Sequence, residues 1–73
     1  MNLRKTCPDI PDDWKGNIAD TCRVLGGEKP VTEDFLRKWA KIGSRGGGID
    51  WKPSRSGRMM FTGKEVKRFW REH

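Results

Sequence analysis

Residues 30–43 read PVTEDFLRKWAKIG, and this stretch decides how the rest of the chain is arranged. Thr32 suits an N-cap, because its side-chain oxygen can accept a hydrogen bond from a backbone N–H that the first turn of a helix leaves unpaired. Val31 before the cap and Leu36 at the fourth helical position have the spacing of a hydrophobic staple. Gly43 is the expected left-handed stop. The stretch therefore predicts a helix with both ends marked.

The predicted helix has one apolar side and one charged side. Successive residues are about 100° apart, so its apolar and charged residues separate onto opposite sides. The apolar side contains Phe35, Leu36, Trp39, Ala40 and Ile42, and the charged side contains Glu33, Asp34, Arg37 and Lys41, with Lys38 at the border. We expect the apolar side to pack and the charged side to face a partner.

The net charge of +6 is concentrated in the C-terminal half of this 73-residue chain. Residues 1–28 hold four Lys or Arg against five acids, residues 29–42 hold four against two, and residues 43–73 hold eight against three. A chain of this length forms one small domain with little room for a substrate pocket. Its basic half favours a polyanionic partner, and a basic surface that only solvates the protein is the alternative.

The sequence predicts neither membrane insertion nor a metal site. No apolar run approaches the roughly 18 residues of a membrane span, and the polar N-terminus lacks the apolar segment of a signal peptide. We therefore expect a cytoplasmic protein, in which Cys22 is a small core residue and Cys7 an incidental thiol. Two cysteines and His73 do not supply four zinc ligands, and no cofactor is expected.

The segments on either side of this helix carry weaker signals. Residues 1–16 contain two prolines and no sustained period, which indicates an irregular arm whose Trp14 packs on the domain. Asn17 can cap a first helix that the glycines beginning at Gly26 would end. The SRGGG segment, residues 44–48, is expected to be too flexible to belong to an element.

Two strands and a last helix are predicted after the glycines. The segments IDWK (49–52) and RMMF (58–61) are expected to pair as a hairpin, with Ile49 and Trp51 on one strand face and Arg55 at the tip. Thr62 and Glu65 have the T-x-x-E spacing of a capping box. The last helix carries a run of cations, which we expect to form a solvated face rather than to contact phosphates. These cations are Lys64, Lys67, Arg68 and Arg71. The inward residues of this helix are Val66, Phe69 and Trp70, the last two forming one core with Phe35 and Trp39.

Catalysis is not supported, and we expect that the protein is not an enzyme. The single histidine is the last residue, and no Ser-His-Asp or paired-carboxylate arrangement can be placed on a site. The segment of residues 57–65 fails the P-loop pattern, because five residues separate its glycines and Glu follows the lysine.

The order helix, tight turn, helix, basic hairpin, helix is that of a winged helix-turn-helix domain. Over residues 17–70 the sequence resembles the minimal winged-helix domains of the MerR-like superfamily, especially phage and mobile-element excisionases and AlpA-type regulators. The resemblance is carried by the L-x-x-W-x-x-x-G run that begins at Leu36, the return at Gly57 and Arg58, and the capped helix after Thr62. It implies an α+β fold of three short helices and a two-stranded wing over residues 17–73, preceded by the arm.

The resemblance also implies a DNA-binding site. In that family the second helix enters the major groove and the wing touches the backbone or the adjacent minor groove. Carried over to this sequence, the groove-facing residues are Glu33, Asp34, Arg37, Lys38 and Lys41, and the wing residues are Ser54, Arg55, Ser56 and Arg58. The fork of Arg37 matches guanine O6 and N7, whereas the two acids favour compensation of the helix dipole over base contact.

The function expected from these features is sequence-specific binding of double-stranded DNA by an excisionase that bends DNA and promotes excision. An integrase or recombinase and further copies of the chain on DNA are the implied partners. A small transcriptional regulator or a DNA-packaging recognition subunit on the same fold is the alternative, because fold alone does not decide function. A protein-interaction module that binds through the Trp14 arm and the aromatic rim of the core is the alternative from another class.

Overall fold

The computed structural model describes residues 3–73, and these form three helices and a three-stranded antiparallel sheet. In chain order the elements are β1 (Lys15–Gly16), α1 (Ile18–Leu25), α2 (Glu33–Ile42), a short 3-10 helix (Ser44–Gly46), β2 (Lys52–Pro53), β3 (Met59–Thr62) and α3 (Gly63–Glu72). The expected α+β class is confirmed. The expected two-stranded sheet is wrong, because the sheet order is β1-β3-β2 and the arm supplies a third strand.

Each helix follows the residue that was predicted to cap it. The Asn17 side chain accepts from the Asp20 N–H at 2.8 Å, and the Asp20 carboxylate accepts from the Asn17 N–H at 3.4 Å, which completes a capping box on α1. Thr32 accepts from the N–H three residues on at 3.2 Å, and Thr62 does the same at 3.4 Å. These local signals therefore set the starts of all three helices.

The capping box predicted for Thr62 and Glu65 forms only in part. Thr62 accepts from the Glu65 N–H, but the Glu65 carboxylate binds donors from other residues. It accepts from the Asp50 N–H at 2.8 Å and from the Arg68 guanidinium at 2.7 and 2.8 Å. A charged donor and a backbone donor from another segment thus replace the local return bond.

The core is built from all three helices, β3 and two connecting segments. Among the described residues its buried apolar members are Cys22, Leu25, Val31, Leu36, Ala40, Ile49, Phe61, Val66 and Phe69. The buried position of Cys22 is confirmed, and that burial raises the pKa of its thiol. Of the four aromatic residues expected in one core, Phe69 is buried, whereas Phe35, Trp39 and Trp70 are half-buried against it.

Ile42 is 43% exposed, so its predicted place on the packed side of α2 is wrong. It occupies the last turn of the helix, and there it lies against Gly46 of the 3-10 helix. Helical periodicity assigns a side chain to a face but does not say how far along the helix the core extends.

The described part of the N-terminal arm, residues 3–16, is held against the domain at both of its ends. Leu3 forms an isolated antiparallel bridge with Gly26, and the Arg4 N–H donates to the Leu25 carbonyl at 2.8 Å. At the other end β1 pairs with the edge of β3 that β2 leaves open. The prediction of an irregular arm is therefore wrong for residues 15–16, and residues 1–2 of that arm lie outside the described part of the chain. Trp14 packs on the core, as expected.

The arm also completes the start of α3. The Gly63 N–H donates to the Trp14 carbonyl at 2.7 Å, and the Lys64 N–H donates to the Asp12 carbonyl at 3.1 Å. With the Thr62 cap, these bonds occupy three backbone donors that the first turn of a helix leaves unpaired. Lys67 pairs with Asp12 at 2.6 Å, and this hydrogen bond, with the charge of Lys67, lowers the pKa of the Asp12 carboxyl.

The glycine-rich segment after α2 is ordered, so the prediction that it is too flexible for an element is wrong. Gly43 ends α2 with a φ of +77°, as a glycine stop should, although its ψ of 171° is extended rather than left-handed helical. The Gly48 N–H returns to the Gly43 carbonyl at 2.7 Å. Ser44 donates to both oxygens of Asp50, from Oγ at 2.6 Å and from N–H at 2.9 Å, which lowers the pKa of that carboxyl.

The strand predicted over residues 49–52 is shorter than expected, and its two apolar side chains do not share a face. Ile49 is fully buried, whereas Trp51 is 41% exposed. The Ile49 N–H donates to the Trp39 carbonyl at 3.1 Å, and the next N–H along the chain donates to Glu65. Because these residues bond to helices rather than to a strand, the alternation of a sheet does not apply until β2 begins.

The described residues contain neither a membrane-spanning helix nor a cluster of metal ligands. In residues 3–73 no helix is long and apolar enough to cross a membrane. In the same range no three His, Cys, Asp or Glu side chains come together as possible ligands of a metal ion.

We expect Gly63→Ala to destabilise the fold by about 1–3 kcal/mol, because a Cβ at this position would overlap the Pro11 carbonyl of the arm and force the backbone apart. Urea unfolding followed by tryptophan fluorescence measures this difference. Gly27→Ala is the matched control, since Gly27 is exposed and its nearest neighbour, the Arg4 Cα, lies at 3.8 Å. Equal midpoints for the two variants would contradict the close packing of the arm on α3.

Candidate nucleic-acid interface

The charged side of α2 is open to solvent. Glu33, Asp34, Arg37, Lys38 and Lys41 are all exposed, as the helical pattern indicated. Arg37 pairs with Glu33 one turn earlier at 3.3 Å, and both side chains remain more than half exposed. Exposed pairs of this spacing are weak, contributing roughly 0.3–0.5 kcal/mol, so Arg37 can exchange its partner for another anion at small cost. Among the described ion pairs, none involves Lys38 or Lys41.

The hairpin between β2 and β3 carries the predicted wing residues in a tight turn. The Gly57 N–H donates to the Ser54 carbonyl at 2.9 Å, and Gly57 has a φ of +82°, which favours glycine. Ser54 Oγ lies 2.9 Å from Ser56 Oγ and accepts from the Arg58 N–H at 3.2 Å. The two serine hydroxyls therefore shape the turn, while Arg55 and Arg58 are exposed.

One cleft connects the two predicted parts of the site. This arginine cleft has a volume of about 420 Å³ and is lined by Asn17, Ile18, Ala19, Arg37, Gly57, Arg58 and Met59. Arg37 comes from the middle of α2 and Arg58 from the foot of the hairpin, 21 residues later in the sequence. The fold thus places one cation of each predicted group on the same concave surface, next to the N-terminus of α1.

Two further lysines lie on the outer face of the sheet, and sequence reasoning missed both. Lys15 is opposite Thr62 and Lys52 is opposite Met60, on the two sides of β3. Phe61 between them in β3 is fully buried, so the lysine face is the one that points away from the core. The predicted pairing of residues 49–52 with residues 58–61 could have indicated Lys52, which lies in the strand that pairs with β3. No local signal could have placed Lys15, because β1 exists only through its pairing with β3.

Two cations of α3 stabilise the fold and are not open to a partner. Arg68 binds Glu65 through two nitrogens, contacts Glu72, and donates to the Gly48 carbonyl at 2.8 Å. The hydrogen bond from Glu65 raises the pKa of this guanidinium above its ordinary value. Lys67 is held by the arm through its ion pair. Lys64 and Arg71 are exposed and make no ion pair among the described contacts.

Comparisons of this chain with protein-family models, with curated proteins and with solved structures gave no match. The resemblance to excisionases and related regulators therefore stays a prediction from the sequence.

We expect Arg68→Lys to lower the free energy of unfolding by about 1–3 kcal/mol, because an ammonium group cannot reproduce the fork that binds Glu65 and Gly48 together. Thermal and urea unfolding measure this loss. Arg71→Lys keeps the same charge on an exposed part of the same helix and should unfold like the parent. Parent-like stability of Arg68→Lys would show that the charge of this residue suffices.

Proposed function

We propose that this protein binds double-stranded DNA as a winged helix-turn-helix domain, with α2 in the major groove and the hairpin on the sugar-phosphate backbone. The observation that carries the proposal is the arginine cleft, because it joins the open face of α2 to the foot of the hairpin. A duplex that contacts one of these elements is then close to the other.

The distribution of charge supports this proposal. The net charge is +6, and the exposed cations of α2 and the hairpin include Arg37, Lys38, Lys41, Arg55 and Arg58. Only Arg37 of these five has an ion-pair partner among the described contacts, and that pair is exposed. Neutralising phosphates with such side chains releases counterions, which supplies most of the non-specific affinity for DNA.

The two arginine groups have different roles in this proposal. Arg37 lies in α2, three residues after Asp34, on the face that would point at base edges. Its guanidinium fork matches guanine O6 and N7. Arg55 is exposed at the tip of the hairpin, where a phosphate contact would position the domain without reading a base. The first is expected to contribute to specificity and the second to overall affinity.

We expect Arg37→Ala to cost about 1–3 kcal/mol on the preferred duplex and to relax selection at one base pair, whereas Arg55→Ala should weaken binding to all duplexes alike. Fluorescence anisotropy across a library of short duplexes measures both effects. For contact with about five phosphates, the slope of log K against log salt should be near −4 to −5.

The matched control is Lys5→Ala, which removes one positive charge from the arm. Lys5 lies beside Phe35 and Trp39. Helical periodicity places these two residues on the other side of α2 from Arg37, so Lys5 is on that other side as well. This variant should bind duplexes within about twofold of the parent at 0.15 M salt, where screening acts over about 8 Å. Parent-like binding by both arginine variants, or affinity that does not respond to salt, would reject the proposed function.

Within DNA binding, the excisionase role is the one we propose. The longest dimension of the described domain is 32 Å, so a single copy covers about one turn of duplex, which measures about 34–36 Å. An isolated copy therefore reads few base pairs and gains affinity from neighbouring copies on the same DNA. Several copies along one groove would also curve the duplex, at a cost on the order of 1–6 kcal/mol that the added contacts offset.

We expect specific binding to be cooperative and to bend DNA. Circularly permuted fragments that carry the selected site at different positions should then migrate at different rates in a native gel. Uniform mobility, with one copy on each site and no cooperativity, would count against the excisionase role and favour a transcriptional regulator.

A further inference from the structure

A second concave surface lies on the side of α2 that faces away from the arginine cleft. This aromatic groove has a volume of about 670 Å³ and runs between the N-terminal arm, α2 and the end of α3. Three half-buried rings line it, those of Phe35, Trp39 and Trp70. Phe35 and Trp39 each lie two residues from Arg37, which places them about 200° around the helix axis from it.

The walls of the groove are already held in place. The Trp70 indole N–H donates to the Arg4 carbonyl at 2.7 Å, which fastens the arm to α3 across 66 residues. Trp39 packs against Phe69 with a centroid distance of 5.8 Å, and Phe69 is fully buried. A ligand would therefore find a preformed apolar surface, which reduces the entropy lost on binding.

The rim of the groove is basic, and the Glu28 carboxylate lies in a neighbouring cleft that shares Arg4 and Lys5 with it. Arg4, Lys5 and Arg71 line the groove, and none of the lining residues in the described chain carries a carboxylate side chain. Among the described contacts, the Arg4 guanidinium donates from Nη2 to Thr6 Oγ1 at 3.2 Å, and its Nε–H is buried without a hydrogen-bond partner. Buried polar groups are normally paired, so this guanidinium has unused hydrogen-bonding capacity next to the groove.

We propose that the aromatic groove binds an acidic peptide segment of a partner protein, in which carboxylates flank an aromatic or aliphatic side chain. The apolar side chain lies against Trp39 and Trp70, and the carboxylates bind Arg4, Lys5 and Arg71. Arginine forks suit carboxylates because two parallel N–H groups meet two oxygens. A volume of this size accommodates a few side chains of a short peptide.

The geometry favours a peptide over single-stranded nucleic acid, although both carry negative charge. Successive bases stack on aromatic faces that track the strand. Here Trp39 meets two other rings that line the groove, Phe35 at 65° and His73 at 63°, so both stand edge-on to it and do not form a row of parallel faces. A second copy of this chain is also disfavoured, since a symmetric contact would bring the same three cations against each other.

The test is to pan a random nine-residue peptide library against the immobilised full chain and to measure the selected peptides by fluorescence anisotropy. We expect them to contain at least two Asp or Glu around an aromatic residue or Leu. Binding should weaken at least tenfold in the double variant Lys5→Gln/Arg71→Gln. The matched control Arg37→Gln/Lys41→Gln loses the same charge from the other side of α2 and should bind within twofold of the parent.

A second readout uses the unaltered chain, so it does not depend on the folding of a variant. Titration with a selected peptide should shift the indole N–H signals of Trp39 and Trp70 in a ¹H–¹⁵N spectrum. It should leave the signal of Trp51 in place, because Trp51 is exposed and does not line the groove.

Several outcomes would overturn the proposal. One is the absence of an acidic and apolar consensus among selected peptides, and another is equal weakening in both double variants. Binding of a fifteen-nucleotide oligothymidylate that is lost only in the Lys5→Gln/Arg71→Gln variant would assign the groove to single-stranded nucleic acid. Concentration-dependent dimerisation that this same variant abolishes would assign it to a second copy. Each of these results leaves the duplex-binding test of the arginine cleft unaffected.

Discussion

The guanidinium of Arg68 joins parts of the chain that lie far apart in the sequence. On α3 it makes a two-point contact with Glu65 and reaches Glu72, and across the molecule it donates to the Gly48 carbonyl at 2.8 Å. Glu65 in turn accepts the Asp50 N–H. Arginine stays charged in folded proteins, so its N–H donors remain available for these contacts. The segment that leads into the hairpin is thereby fastened to α3.

The same segment is fastened to the end of α2, and this connects the helix to the hairpin. Gly48 and Ile49 donate to carbonyls at Gly43 and Trp39, respectively. A side chain at position 48 would overlap the Trp39 carbonyl, so the close approach of the two backbones requires glycine there. An interface that uses α2 and the hairpin together needs their relative positions to be constrained, and these bonds constrain the segment that connects them.

The two sides of α2 line two different concave surfaces. Arg37 lines the arginine cleft with Arg58, while Phe35 and Trp39 line the aromatic groove. Because the surfaces lie on opposite sides of one ten-residue helix, a ligand on one leaves the other accessible. In the proposed function, a copy of the protein bound to DNA through the cleft would still present the groove to an acidic partner. The short helix would then bring a partner protein to a DNA site without a conformational change.

The sequence by itself determined the features that depend on neighbouring residues. The caps at Asn17, Thr32 and Thr62 set the starts of the helices, because the bonds involved span three residues. Helical periodicity placed Leu36 and Ala40 inside and Arg37 outside, since one turn repeats every 3.6 residues. The exposed cations of the candidate DNA site were predictable for the same reason.

Only the tertiary structure decided the features that depend on contacts between distant segments. The third strand exists because Lys15 and Gly16 meet the open edge of β3, about 46 residues away, and two residues carry no strand signal of their own. The attachment of the glycine segment to α3 comes from two bonds, Asp50 N–H to Glu65 and Arg68 to the Gly48 carbonyl, which span 15 and 20 residues. The local sequence pattern does not predict such bonds, because a charged side chain faces either solvent or a buried carbonyl only once the chain has packed. The aromatic groove is of this kind too, since the arm and two helices have to come together before it exists.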